Sequence, residues 1–389
     1  MPPLVEPAGE LTADEVARYS RHLVIPDLGV DGQKRLKNAR VLVIGAGGLG
    51  APTLLYLAAA GVGTIGIVDD DVVEESNLQR QIIHGVSDIG RSKVQSARDS
   101  IAEVNPLVRV RAHEVRLDRH NAVELFEQYD LILDGTDNFA TRYLVNDAAV
   151  LAHKPYVWGS IYRFEGQVSV FWEDAPADEA GNERGLNYRD LYPDAPPPGL
   201  VPSCAEGGVL GLLCASIASV MGTEAVKLIT GIGEPLLGRL LMYDALAMSH
   251  RTIAIRKDPA APAITELADY DEFCGTVAEP TDGAAISPRE LRELLDSGTD
   301  VALIDVREPA EWEINRIDGA ELIPSALLNS GAGLHRLPRG RRPVLYCKTG
   351  VRSAAALAAV RDAGFADAVH LQGGIVAWAE QMQPDMVMY

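Results

Sequence analysis

Two short loops in this 389-residue chain carry residue types that do chemistry. Gly45-Ala46-Gly47-Gly48-Leu49-Gly50 falls between an apolar run, Val41–Ile44, and a helical stretch, Ala51–Ala60. Glycines at that spacing let backbone N–H groups approach a phosphate at a helix N-terminus. Cys347-Lys348-Thr349-Gly350-Val351-Arg352-Ser353 follows a second apolar run, Val344–Tyr346, and leads into helical residues from Ser353 to Ala363. Such a loop curls N–H groups around the sulfur and stabilises a thiolate or persulfide, with Arg352 adding positive charge at its closing position. The pair predicts nucleotide-dependent activation coupled to thiol chemistry.

The glycine loop alone leaves the nucleotide open. Asp69, about twenty residues on at the end of a second strand, suits a ribose, so an NAD-dependent oxidoreductase with an accessory sulfurtransferase domain fits as well. A noncatalytic sulfur-relay scaffold is a further alternative. Ser76-Asn77-Leu78-Gln79-Arg80-Gln81, Lys93 and Asp134-Gly135-Thr136-Asp137-Asn138 shift the reading toward a triphosphate. Cleaving the α–β bond of ATP develops charge on pyrophosphate, which calls for cations such as Arg80 and Lys93 and a carboxylate, Asp137, to hold Mg²⁺. Hydride transfer needs none of these.

The elements that must position these residues alternate in type. Thr12–His22, with Arg18 and Arg21, is amphipathic and predicts one helix. Val41–Ile44, Ala51–Ala60 and Thr64–Val68 make a βαβ unit, and Leu131–Leu133, Val157–Trp158 and Val168–Phe171 predict further strands. Glu173–Ser203 is rich in Asp, Pro and Gly and reads as a long surface loop, whereas Gly207–Gly222 is apolar and rich in small residues, as a buried helix is. After a polar, glycine-bearing stretch, Gly275–Ala284, the alternation restarts with helical Pro288–Leu295, strand Val301–Val306 and strand Val344–Tyr346. The expected organisation is a mainly parallel-sheet, Rossmann-like α/β domain over 1–270, a linker over 271–284 and a small α/β domain over 285–389.

Composition narrows the partners. A formal net charge of −20 argues against nucleic acid, which needs a surplus of Lys and Arg on the binding face. Cys204, Cys214, Cys274 and Cys347 are too widely spaced for a disulfide framework, Met1–Thr12 has no export-signal pattern, and no segment reads as a membrane span. A cytoplasmic protein is expected.

Taken together, GAGGLG, SNLQRQ, Lys93, DGTDN and Arg163-Phe164-Glu165-Gly166-Gln167 resemble the MoeB/ThiF adenylyltransferases, relatives of ubiquitin-activating enzymes, over roughly Leu11–Pro259. The resemblance implies a homodimer with one site per subunit. By matched position it places Gly48 on phosphate, Asp69 on ribose, and Asn77, Arg80 and Lys93 on the phosphates. Ser76, Leu78, Gln79 and Asn138 complete the binding set, Asp137 holds Mg²⁺, and Arg21 reaches into the partner's site. The substrate it implies is a ubiquitin-like sulfur carrier protein ending in Gly-Gly, whose terminal carboxylate becomes an acyl-adenylate. One departure stands out. Where the family often carries two Cys-x-x-Cys pairs for structural zinc, this chain has Asn187 with Asp190 and Ala261 with Ile264, so no zinc is expected.

The Cys347 loop, with Asp305-Val306-Arg307-Glu308, Ile317-Asp318-Gly319-Ala320 and Leu371-Gln372-Gly373-Gly374, resembles a rhodanese domain over about Ile286–Glu380. A phosphatase of related fold would need a loop longer by one residue. The whole resembles fusions of MoeZ or MoeBR type, an adenylyltransferase followed by a sulfurtransferase. That implies adenylation of the carrier and then transfer of persulfide sulfur from Cys347 to give a carrier thiocarboxylate, serving molybdopterin, cysteine or thiamine synthesis or RNA modification. The sulfur donor would be thiosulfate or a cysteine desulfurase. Cys204 matches a family cysteine whose implied role is to form a thioester or disulfide with the activated carrier or to help release it, Cys214 reads as core, and Cys274 carries no assigned chemistry.

Overall fold

A computed structural model describes residues 1–177, 181, 184–196, 208–270 and 285–389. Two compact units result, residues 1–195 with 208–270 and residues 285–389. Cys204, Cys274 and the expected linker 271–284 lie outside the described residues.

In the first unit the helices are α1 (Ala13–Arg18), α2 (Ser20–Leu23), α3 (Gly29–Asn38), α4 (Gly50–Ala60), α5 (Lys93–Val104), α6 (Ala122–Glu127), α7 (Phe139–Leu151) and α8 (Gly211–Thr230). Its strands are β1 (Arg40–Ile44), β2 (Thr64–Val68), β3 (Arg109–His113), β4 (Leu131–Asp134), β5 (Tyr156–Tyr162), β6 (Glu165–Phe171), β7 (Arg239–Asp244) and β8 (Ser249–Ala254). They form one sheet in the order β3-β2-β1-β4-β5-β6-β7-β8, parallel from β3 to β5 and antiparallel from β5 to β8. β1 beyond Arg40 and β4 up to its terminal Asp134 are buried and apolar because helices cover both faces of the parallel part. By contrast β8 is exposed at all of its positions and ends the sheet. α8 packs on α4, β5 and β6 and is buried over 56% of its most apolar window, which makes it a core helix by its surroundings.

The single helix expected over Thr12–His22 is broken at Tyr19. That residue turns inward instead, its ring buried and its hydroxyl accepting from Asn105 Nδ2 at 2.8 Å, so tertiary packing overrides helical periodicity. At the edge where the sequence lacks cysteine pairs, Asp190 accepts from the N–H groups of Asn187 (2.8 Å) and Asp258 (3.0 Å). Lys257 lies 3.4 Å from the same carboxylate, which is fully buried, and donates to Glu173 at 2.7 Å. Asn187 Nδ2 also donates to Glu173, at 2.8 Å. Hydrogen bonds and ion pairs thus join the two chain segments there.

β4 ends in Asp134, whose Oδ1 accepts from the Thr136 N–H (3.0 Å) and hydroxyl (2.7 Å) and so shapes the loop beyond the strand. The other oxygen is buried without a protein partner. Burial pushes this carboxyl up to about 6 from 3.8, against the Thr136 hydrogen bonds.

The second unit contains β9 (Ala285–Ile286), α9 (Pro288–Asp296), β10 (Val301–Asp305), α10 (Pro309–Ile314), β11 (Glu321–Leu322), α11 (Ser325–Asn329), β12 (Arg342–Tyr346), α12 (Val351–Asp362), β13 (Val369–Leu371) and α13 (Gly374–Met382). Its five strands are all parallel, in the order β11-β10-β12-β13-β9, with apolar clusters on both faces.

Two stability measurements follow. Asp190→Ala orphans two backbone N–H groups and is expected to cost about 2 kcal/mol, read as a lower melting temperature of the first unit. Between pH 3.8 and about 6 the folded chain holds more protons on Asp134 than the unfolded chain, so this group favours the fold at low pH and its contribution is lost as pH rises through about 6. Asp134→Asn is therefore expected to raise stability at pH 8 by up to about 3 kcal/mol and to change little at pH 4. An equal effect at both pH values would show that the carboxyl is not protonated in the fold.

Candidate active sites

β1 and β4 are neighbours whose connections leave in opposite directions, and a crevice opens at their C-terminal ends. The glycine loop fills one wall. Gly45 adopts φ 87°, donates to Val68 O at 2.8 Å, and faces Gly135, which donates to Ile44 O at 3.2 Å. A side chain on Gly50 would collide with the Gly45 carbonyl, so only glycine lets the turn close onto α4. A β-carbon on Gly48 would stand 3.1 Å from Cys214 Sγ and 3.7 Å from the Arg80 stem, which places Gly48, Arg80 and the core cysteine together.

Asp69 does more than end β2. Its Oδ2 accepts from Ala46 N–H at 2.8 Å and its Oδ1 from Asp71 N–H at 2.9 Å, so it ties the glycine loop to the next strand. Burial raises the Asp69 carboxyl above its ordinary range, with Lys93 opposing. Lys93 opens α5, is buried, and donates to Asp71 Oδ2 at 2.8 Å. His84 braces the loop from behind, its ring nitrogens 3.1 Å from Ala46 O and 2.8 Å from Ser96 Oγ. Arg80 donates to Ser76 O at 2.9 Å. Asn77 is buried, accepting from Glu74 N–H (3.2 Å) and donating to Ser76 Oγ (3.4 Å), while Ser76 and Gln79 are exposed and Leu78 is half-buried.

Across the crevice, Asn138 rather than Asp137 caps α7, accepting from Thr141 N–H at 2.8 Å. Asp137 is exposed beside it. Arg21 is exposed on α2. The fold therefore gathers Gly48, Asp69, Asn77, Arg80 and Lys93 around one loop, with Asp137 at the adjoining strand end. Sequence reading missed Asp71 and His84. The run Asp69-Asp70-Asp71, whose carboxylates come within 4.8 Å of one another, was the visible signal for the first, and His84 had none before folding.

In the second unit, Cys347 is buried and its Sγ accepts from Gly350 N–H at 3.1 Å, with Ser353 Oγ at 3.6 Å. Gly350 makes this turn at φ 100°. The start of α13 clamps the loop, Ile375 N–H donating to Cys347 O (2.8 Å) and Val376 N–H to Lys348 O (3.2 Å). Arg352 is buried and bidentate to Glu311, at 2.7 and 2.9 Å, so its charge is largely offset rather than left to the sulfur. Burial works against the Glu311 carboxylate, but bonds from Arg352 and Tyr389 outweigh it and hold Glu311 below its ordinary range. Cys214 is buried in α8, as expected of a core residue.

Comparisons with known proteins bear on both units. Residues 19–263 match the ThiF family and residues 287–381 the Rhodanese-like domain. A Mycobacterium tuberculosis protein named "Probable adenylyltransferase/sulfurtransferase MoeZ" is 77% identical over 393 residues, covering 100% of this chain and 99% of its own. The Thermus thermophilus "Sulfur carrier protein adenylyltransferase" is 51% identical over 270 residues, covering 68% of this chain and 98% of its own. Among solved structures, Escherichia coli MccB with ATP superposes with a TM-score of 0.55 at 19% identity, covering 65% of this chain and 75% of that one, a likeness of fold. These relatives carry the names of two transferases and not of an oxidoreductase or a scaffold. The chain belongs to the ThiF family, continues into a rhodanese-like domain, and is an adenylyltransferase and sulfurtransferase.

Proposed function

We propose that the first unit uses ATP to adenylate the C-terminal glycine of a ubiquitin-like sulfur carrier protein, and that Cys347 then delivers persulfide sulfur to that carbon. The observation that carries this reading is the convergence of the glycine loop, Arg80, Lys93 and Asp137 at one end of β1 and β4. The triphosphate lies along the glycine loop, whose α4 N-terminus presents unpaired N–H groups, and Asp69 receives the ribose. Arg80 and Lys93 draw the departing pyrophosphate. For Lys93 this means exchanging Asp71 for phosphate, a swap of one anion for another at a buried ammonium. Asp137, exposed and held by no cap, fits a hard divalent cation, and Mg²⁺ there would offset charge on the phosphates. The carrier carboxylate attacks the α-phosphorus, and Arg21 of a homodimeric partner completes the site. The likeness to MccB solved with ATP and the name of the Thermus thermophilus relative support ATP and a protein substrate.

A free carboxylate is a poor electrophile, so activation comes first. The outer sulfur of a Cys347 persulfide then attacks the acyl carbon and AMP leaves. Attack by Cys204 on the inner sulfur releases the thiocarboxylate and leaves a Cys204–Cys347 disulfide, which an external thiol resets. The donor that recharges Cys347 is thiosulfate or a cysteine desulfurase. Residues 271–284 act as a tether that raises the effective concentration of the persulfide near a hydrolysable intermediate. The protein works in the cytoplasm, without a structural zinc, and binds neither nucleic acid nor membrane.

Three outcomes are expected. Asp137→Ala and Arg80→Ala each lower ATP–pyrophosphate exchange by about 10²-fold or more while carrier binding persists; unchanged exchange would remove the residue from the site. Intact mass of candidate carriers incubated with Mg·ATP and thiosulfate shows one oxygen replaced by one sulfur with wild type and not with Cys347→Ala. Thermal unfolding of the chain is the same before and after exhaustive treatment with a zinc chelator, and a large drop would reveal a structural metal.

A further inference from the structure

One side chain of the SNLQRQ segment faces the glycine loop with its amide unpaired. Gln81 is only 4% exposed. Its backbone is fixed at both ends, the N–H donating to Asn77 O at 2.9 Å and the carbonyl accepting from His84 N–H at 3.1 Å. The side-chain Nε2 lies 3.7 Å from where a β-carbon on Gly47 would stand, and Oε1 is buried with no hydrogen-bond partner among the described residues. Gly47 belongs to the turn into α4, an 11-residue helix that starts without a side-chain cap. A methionine would fill the same space without an orphaned oxygen, so a half-satisfied amide here serves the fold less well than its apolar counterpart. Buried polar atoms left this way are uncommon in folded proteins and call for a role.

From this arrangement we infer that Gln81 is a catalytic residue of the adenylation step, its Nε2–H donating to a non-bridging oxygen of the ATP α-phosphate. The inference rests on the glycine loop being the ATP site. With the ribose at Asp69, the order of groups along the loop follows from its contacts: Asp69 is tied to Ala46, the residue before Gly47, and Arg80 packs at Gly48. The α-phosphate comes first after the ribose and so falls at Gly47, while the β- and γ-phosphates run on toward Arg80 and Lys93. In the reaction a carboxylate oxygen of the carrier bonds to the α-phosphorus, the bond from that phosphorus to the α–β bridging oxygen breaks, and pyrophosphate leaves with the electron pair; no proton moves. Charge on the non-bridging oxygens is best met by a donor already in place. A neutral amide suits this position better than a cation, because a cation beside the α-phosphorus would pair with the incoming carboxylate and hold it back. The cations sit instead where the leaving group gathers charge.

The test is ATP–pyrophosphate exchange by the full chain with the carrier that takes up sulfur in the mass measurement, read as kcat and as the KM for ATP. Gln81→Met is expected to lower kcat about 10²-fold and to leave KM within about threefold of wild type. Gln81→Glu, which sets a carboxylate against the phosphate, is expected to fall at least as far. The melting temperature of Gln81→Met is expected to be no lower than that of wild type, since the orphaned oxygen is gone. Exchange within about twofold of wild type in either variant would take Gln81 away from the reacting phosphate, a raised KM with kcat unmoved would make it a ground-state contact, and a loss matched by a lower melting temperature in both variants would make it a structural residue; each result overturns the inference. Wild type without exchange on any candidate carrier overturns the assignment of the ATP site and this inference with it, whereas exchange that is lost in Arg80→Ala and kept in Gln81→Met overturns this inference alone.

Discussion

The first unit depends on how closely two backbones approach where β1 gives way to α4. Gly50 sits against the Gly45 carbonyl at a distance no side chain permits, and this contact points the start of α4 at the crevice. Everything else there is arranged around the bend. The Asp69 carboxylate holds Ala46 from the β2 side, His84 supports the Ala46 carbonyl, and Gly135 closes against Ile44 from β4. Lys93 and Arg80 then need only reach a loop whose shape is already set.

The second unit solves a comparable problem with sulfur in place of phosphate. A turn through Gly350 presents an N–H to Cys347, and the first N–H groups of α13 hold the carbonyls of the same loop. In both cases backbone donors are oriented by glycine and by a helix start, and the charged side chains are kept in place by acids: Lys93 by Asp71, Arg352 by Glu311. Such pairing keeps a cation ordered before a ligand arrives, at the cost of an exchange when it does.

Much of this was readable before folding, and the parts that were not share a cause. β2 spans Thr64–Val68 as its apolar run predicts, and β1, β4, β10 and β12 differ by a residue or two, because strands buried on both faces are apolar over most of their length. β3 and β8 escaped notice because their positions are exposed or half-exposed and mix charge with apolar residues. The break at Tyr19 and the chain Tyr389–Glu311–Arg352 depend on contacts between distant residues, and local pattern has no term for those. Motifs located the loops; the acids that steady them came from tertiary structure.

The edge fastened by Asn187, Asp190, Glu173 and Lys257 has a consequence for how the chain lives in a cell. A thiolate-metal clasp can be opened by oxidants and must wait for its ion, whereas this one closes with atoms the chain already carries. Its weakness lies elsewhere: Lys257 is 41% exposed, so dissolved salt screens that arm of the clasp while leaving the buried Asp190 bonds in place. An enzyme that handles reactive sulfur thereby offers that sulfur no thiol at Asn187, Asp190, Ala261 or Ile264.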